Sequence, residues 1–451
     1  MISVVRDNLK QVGSPGRKFL LFSSLNTVAW QCLVGSVLVL FARFIQMPAS
    51  LVDLLQSFMP LSMLLVVATT PLVDRFGARA LMLRGWLARS LCGALVFLMP
   101  WAWAWGGVKA GWALLAAAVL SFCLMRAVSV GGWYPWIHEL VPPGKRGVYC
   151  SLEQSVYSVV NITLAFVIAS ILGPHPTLSR FFVTEGLGIA AGVASLLLMM
   201  RIPGGFRPAV VRSPWESFAE YGRVFRDHSY RRFVPVASIG FCAIAWMAAS
   251  YILFLRDALG YSERHIMCLL GAAGIGIVLT IGAWGRFADR HGSGRAMTLT
   301  LGGFSLAALS WLVLIPGKPW TPFLVWPLTI ATMIFSASFQ AAAGQGALSH
   351  IPEDSRTVYS NLWLVGTSLA QGGTFILAGQ VIDRWSGWGY RSCFLLAGAS
   401  GLVCAAACRS LLQGGRPLAA LWRPLQPLRA LRLIVSVTLG AEPTIRDLSQ
   451  K

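Results

Sequence analysis

The chain is written as long apolar runs separated by short polar segments. Twelve runs can be marked, at residues 19–42, 51–73, 82–104, 112–137, 150–172 and 180–200, then 233–255, 265–285, 296–316, 321–346, 358–381 and 391–412. Stretches such as Phe19 to Ala42 and Phe233 to Leu255 are nearly or wholly free of charge. A helix of about 20 apolar residues crosses a hydrocarbon core about 30 Å thick, so each run predicts one membrane-spanning helix. The one long interior break is Arg201 to Arg232, which carries Pro203, Gly204, Gly205, Pro208 and Pro214. The expected organisation is an N-terminal tail (1–18), a six-helix bundle (19–200), a linker (201–232), a second six-helix bundle (233–412) and a C-terminal tail (413–451). The fold class that follows is an all-α integral membrane protein with twelve transmembrane helices in two bundles.

Composition agrees with this pattern. Of 451 residues, 56% are hydrophobic and 12% charged, against roughly 25% charged in ordinary soluble domains. Arg6, Lys10, Arg17 and Lys18 before the first run imitate a signal peptide. That run is too long, and no small-residue cleavage site follows, so it reads as a retained first span. The net charge of +20 raises the question of nucleic acid. The basic residues, however, concentrate in alternate segments between the runs and show no nucleic-acid motif. The two tails and the segments after runs 2, 4, 6, 8 and 10 hold most of the 37 Lys and Arg residues. By the positive-inside rule, both termini and those segments face the cytoplasm of a plasma (inner) membrane. The nine cysteines form no Cys-x-x-Cys pair and read as apolar fillers, with no disulfide or metal site expected. Six histidines without a metal-ligand spacing, and the lack of a P-loop, speak against an enzyme, a cofactor or an ATP-driven pump.

The chain repeats itself. Asp74-Arg75-x-Gly77 after run 2 returns as Asp289-Arg290-x-Gly292 after run 8, and Pro142-x-x-x-Arg146-x-Val148-Tyr149 after run 4 returns as Pro352-x-x-x-Arg356-x-Val358-Tyr359 after run 10. Two motifs in the same order at nearly the same separation mark a duplicated six-helix unit, an arrangement common among transporters. The pattern G-x-x-x-D-R-x-G-x-x-R at these places resembles that of the major facilitator superfamily. The second copy is complete through Gly285, Asp289, Arg290, Gly292 and Arg295. The first departs from it, with Thr70 for the opening glycine, and with Arg79 one position ahead of Ala80, where the last arginine belongs.

The resemblance implies alternating access, in which two bundles rock around a central site. The cytoplasmic turns, with Arg146 and Arg356, would then form a reversible gate. Ion pairs at such helix ends are worth about 0–1 kcal/mol each, weak enough to break and re-form. Gly285 and Gly292 would allow close helix approach and a tight turn. Setting topology and capping helices is the competing reading, preferred for Arg79 or Arg84 alone but not for the repeated Asp-Arg pairs.

Polar residues inside the runs are the candidate lining of the substrate cavity. Run 5 offers Tyr157, Ser158 and Asn161 on one face, and the equivalent stretch of run 11 offers Thr367, Ser368 and Gln371. Run 1 adds Asn26 and Trp30, and run 10 adds Gln340. Hydrogen bonding between helices is the competing reading. The tryptophans at span ends, and Trp133, Tyr134 and Trp136, read mainly as an interfacial belt. Arg126 lies near the middle of run 4, followed by Gly131 and Gly132, and resembles an arginine that family members carry in helix 4. It needs either a partner such as Glu153 or Glu185, or a wet cavity and an anionic solute. Spans 1, 4, 7, 8 and 10 hold no central acid, which does not support a standard buried-carboxylate symporter. Coupling to a proton or sodium ion stays open. The tail from Gln413 mixes arginines with leucines, and either attaches to anionic lipid or is flexible. The expected function is transport of a small solute, anionic if Arg126 faces it, by a monomer in the bilayer; a non-transporting membrane sensor is the alternative.

Overall fold

In a computed structural model, which describes residues 13–141, 146–206, 222, 224, 227–350, 356–409 and 434–438, every regular element among the described residues is helical. The chain divides into two compact units, Met1–Phe218 with Ser262–Cys268, and Ala219–Tyr261 with Leu269–Lys451.

In the first unit α1 comprises Gly13–Val34 and Ser36–Phe44, and α2 comprises Ala49–Ser62, a 3₁₀ stretch Met63–Thr69 and Thr70–Phe76. Pro60 lies just ahead of the 3₁₀ stretch. A proline cannot donate to the helical ladder, which suits the change of pitch there. Next comes one apolar helical stretch, Ala78–Val130, of 53 residues. That is about 80 Å of helix at 1.5 Å per residue, far more than one crossing requires. It is broken at Gly107, whose φ of 67° and ψ of −164° only glycine adopts readily. The part before Gly107 is α3 and the part after it is α4. A short helix, Trp133–Leu140, follows, then α5 (Arg146–Leu172) and α6 (Leu178–Met199).

In the second unit α7 is His228–Leu253 and ends in a π-helical turn, Phe254–Ala258. Asp227 caps its start, its carboxylate accepting from the amides of Ser229 (2.9 Å) and Tyr230 (3.3 Å). Then come α8 (Glu263–His291), whose first residues, as far as Cys268, group with the first unit, and α9 (Ser293–Ser310), α10 (Thr321–Ser349), α11 (Arg356–Arg384) and α12 (Gly389–Ala407). Eleven helical stretches of the described residues are long and apolar enough to span a bilayer. Since one of them holds both α3 and α4, the described residues supply twelve helices suited to crossing, α1 to α12.

Lipid offers no hydrophobic drive between helices, so these bundles are held by close packing and interhelical hydrogen bonds. Gly188 of α6 lies so near α1 that a Cβ would come 2.6 Å from Cys32. The core of the first unit is aromatic at the end carrying the short helix, with Phe19, Phe22, Trp86 and Trp136 packed edge to face or tilted. Trp136 is fully buried and donates to the carbonyl of Pro203 (2.9 Å), so it belongs to the core and not to an interfacial belt. The core of the second unit gathers Phe233, Trp284, Phe287 and Phe339, and also Ile434 and Val437. The helical stretch 434–438 of the tail is therefore docked on this bundle. The tail's basic residues lie outside the described residues.

Candidate functional site

The repeated turns have one geometry. Gly77, between α2 and α3, has φ 82° and ψ 148°, and Gly292, between α8 and α9, has φ 88° and ψ 146°. In both, the glycine amide closes the preceding helix, on Val73 O (2.8 Å) and Ala288 O (2.9 Å). In both, the glycine carbonyl opens the next, accepting from Leu81 (3.1 Å) and Ala296 (3.3 Å). The tight turn expected of Gly292 is present. The close helix approach expected at Gly285 is not, since a Cβ there would meet nothing within 4 Å.

Asp289 is exposed, and its Oδ1 accepts from Gln345 Nε2 of α10 (2.7 Å). Arg75, Arg290 and Arg295 are exposed, with Arg75 over the ring of Phe76. Arg146 and Arg356 occupy the same place in the two units, the first residue of α5 and of α11. Their side chains, that of Asp74, and both Pro142 and Pro352 lie outside the description. Arg79, the displaced arginine of the first copy, donates to the carbonyl of Met200 at the end of α6 (2.6 Å), while its amide donates to Gly205 O (2.8 Å). It thus caps a helix C-terminus, where a cation is favoured.

Inside the first unit, Asn26 is already engaged. Its Oδ1 accepts from Arg89 Nη1 (2.7 Å) and Trp86 Nε1 (3.2 Å), so it bridges α1 to α3 instead of lining a cavity. Trp30, one turn on, keeps a buried indole N–H with no hydrogen-bond partner. Arg89 is 1% exposed, and its guanidinium lies over the rings of Trp86 and Phe122. Arg126 is partly exposed, its Nη1 lying 3.5 Å from Met59 Sδ and 3.7 Å from Met63 Sδ of α2. Neither acid expected as its partner is bound to it. Glu153 accepts from Ser23 (3.0 Å) and Tyr149 (3.4 Å). Glu185 is 2% exposed and lines a small cavity of about 10 Å³ among Leu33, Val96, Leu115, Val119 and Phe122. Tyr157 is exposed on α5. Asn161 accepts from Gln31 of α1 (2.6 Å).

In the second unit Gln340 is exposed, its amide donating to Ser336 (3.4 Å). Ser368 is buried within the bundle and Gln371 is half-buried. The repeated tyrosines are both buried: Tyr149 reaches Glu153, while Tyr359 donates to the capping Asp227 (3.1 Å) and its carbonyl receives the Tyr230 hydroxyl. The sequence reading did not single out Arg89, Gln31, Gln345 or the two methionines. Arg89 at least is visible as a charge within an apolar run. The others carry no local signal, because their partners are far off in the chain.

The profile of the Major Facilitator Superfamily matches residues 19–344 and 236–437. No curated protein sequence matches significantly. Among solved structures, the nucleoside transporter NupG aligns over 89% of this chain and 100% of its own, with 11% identity and a TM-score of 0.64. A bacterial homologue of the iron transporter ferroportin, in an inward-facing state, aligns over 87% and 97%, with 14% identity and a TM-score of 0.67. A D-xylose–proton symporter aligns over 87% and 96%, with 14% identity and a TM-score of 0.64. Twelve helices suited to crossing, in two units, a turn of the same backbone geometry in each, and a family profile matched along most of the chain lead to one conclusion: the chain belongs to the Major Facilitator Superfamily.

Proposed function

We propose that this chain moves a small solute across the plasma (inner) membrane by alternating access, as a monomer with both termini in the cytoplasm. The observation that carries the reading is the pair of glycine turns, which end α2 and α8 with one backbone geometry in two separate units. A rocking mechanism needs such matched ends. Each turn follows a helix whose last turn carries the Asp-Arg pair, where ion pairs would form and break at low cost.

In this reading Asp74, Arg75, Asp289, Arg290, Arg295, Arg146 and Arg356 bias the gate. Arg126, Tyr157, Asn161, Gln340 and Gln371 are the polar groups nearest the solute, and Trp30 offers a free indole donor. Asn26 acts one step back, holding Arg89. The related structures are named for a nucleoside, iron and D-xylose. Solutes this varied on one fold do not select a substrate here. Coupling to a proton or sodium ion belongs to the same proposal and rests on the family's architecture alone.

The test has two arms. Purified protein in proteoliposomes is offered a panel of labelled metabolites, with and without proton or sodium gradients. In parallel, single cysteines facing the cytoplasm report accessibility in the wild type and in Asp289→Asn. Uptake of at least one solute, with raised cytoplasmic accessibility in Asp289→Asn, is the expected result. No uptake with unchanged accessibility favours the sensor alternative.

A further inference from the structure

We propose that the first bundle binds a compact oxyanion, with Arg126 as its direct ligand and Arg89 as a fixed second positive charge behind it. The inference rests on the transport reading only where it makes this oxyanion the charged group of the solute.

The observation is a charge imbalance. Arg126 lies in α4, one turn before its end at Val130, and what faces its Nη1 is a pair of thioethers, Met59 at 3.5 Å and Met63 at 3.7 Å. A thioether is a weak acceptor and brings no negative charge. Arg89 is sealed from solvent, and two of its three nitrogens, Nε and Nη2, have no hydrogen bond. Its single polar partner is the neutral Asn26. Arg89 lies over the ring of Phe122 at 5.0 Å, and Arg126 stands one turn beyond Phe122 on the same helix, so two like charges share one region of the bundle. Among the described residues no carboxylate pairs with either. Glu153 is held by Ser23 and Tyr149, and Asp53 by Gln56 (2.6 Å). Glu185 lines a small cavity with Leu33, Leu115 and Phe122 and makes no ion pair with either arginine among the described residues.

Two uncompensated guanidiniums in one region, one of them sealed from solvent, make a poor structural element, because breaking even or better requires partners of opposite charge. The aromatic faces of Trp86 and Phe122 offset part of the cost at Arg89. Nothing comparable serves Arg126. The two residues also differ in access: Arg89 is enclosed, whereas Arg126 is partly exposed. A ligand therefore meets Arg126 and feels Arg89 through its field. The planar fork of an arginine matches carboxylate and phosphate oxygens in a bidentate manner, which selects oxyanions. The second charge favours a dianion over a monoanion of equal size.

The test uses the full-length protein in nanodiscs of zwitterionic lipid, with thermal unfolding followed at constant ionic strength. The probes are inorganic phosphate, succinate, acetate and glucose. Phosphate and succinate should raise Tm in proportion to the logarithm of concentration, acetate less so, and glucose not at all. Arg126→Gln should abolish the shift and leave the ligand-free Tm equal or higher, because an uncompensated charge has gone. Arg126→Lys keeps the charge without the fork and should retain a weaker shift. Arg89→Lys, with Asn26 still in place, should keep a shift larger than that of Arg126→Lys. The proposal is overturned by the absence of any anion-dependent shift, by an equal shift in Arg126→Gln, or by a marked loss of ligand-free stability in that variant. Phosphate stabilisation of a protein that moves no solute in proteoliposomes would uphold the site and sink only its role in transport. Solute uptake without anion stabilisation would do the reverse.

Discussion

Replacing Gly292 by alanine isolates a backbone effect, because a Cβ there would meet no atom within 4 Å. Sterics with neighbours therefore contribute nothing, and the conformation itself sets the cost. Its φ of 88° with ψ of 146° lies near a region that is essentially glycine-only, where a side chain costs about 1–3 kcal/mol. Alanine also lowers the entropy of the unfolded chain, an offset of about 0.4–1 kcal/mol. The net destabilisation should be about 1–2 kcal/mol. Gly285, in the same motif, provides the control. It lies inside α8, with equally open space around it, so Gly285→Ala should stabilise by about 0.5–1 kcal/mol through helix propensity. The two substitutions, seven residues apart, should differ by about 2 kcal/mol with opposite signs. Gly292→Asn should not rescue the loss, because asparagine tolerates left-handed helical angles and not an extended ψ. Unfolding by SDS titration in mixed micelles provides the measurement. Gly292→Ala as stable as wild type, or Gly285→Ala equally destabilised, would refute the assignment of strain to the turn.

Two further outcomes follow from single contacts. Arg79→Gln removes the bond to the Met200 carbonyl; because the site is near solvent, the loss should be modest, about 0.5–1.5 kcal/mol, measured by the same titration, and a loss above that range would mean Arg79 does more than cap α6. Glu185→Leu removes a buried carboxyl that has no hydrogen-bond partner among the described residues; thermal unfolding should show equal or higher stability, by on the order of 1 kcal/mol, and clear destabilisation would expose a partner for that carboxyl.

The helices were legible because a run of about twenty apolar residues has few alternatives in a bilayer. The duplication was legible because its residues lie close together in sequence, and the Gly292 turn follows from the same local chemistry. What escaped the reading depends on distant partners. Asn26 is polar within an apolar run, which fits a cavity as well as a bridge; the choice is made by Arg89 and Trp86, two helices further along the chain. Arg126 was conspicuous by depth, yet the thioethers opposite it belong to α2 and look like ordinary packing in the sequence. Trp136 was assigned to the interface because it stands at a span end. The segment Met200–Phe206 folds back to receive its indole, and no periodicity announces such a return.

In α10 the position of a polar side chain matters more than its type. Thr329 and Thr332 are neighbours on this helix, and both are buried. Each returns its hydroxyl to its own helix, Thr329 to Val325 O (2.7 Å) and Thr332 to Leu328 O (2.7 Å). Those carbonyls already accept from the helical ladder, so Thr329→Val removes a redundant bond while keeping the side-chain shape, and should cost less than about 0.5 kcal/mol. Thr332 has a second task, since its hydroxyl accepts from Trp311 Nε1 (3.0 Å), and Trp311 is itself fully buried. Thr332→Val leaves that indole N–H without an acceptor in an apolar interior, at a cost of about 1–3 kcal/mol. Trp311→Phe in the Thr332→Val background should recover part of the loss, because the stranded donor is then gone. A double-mutant cycle on unfolding free energies measures the coupling. Equal costs for the two valine substitutions, or no recovery with Trp311→Phe, would show that the indole finds another acceptor and that the bond between these residues is not what holds them together.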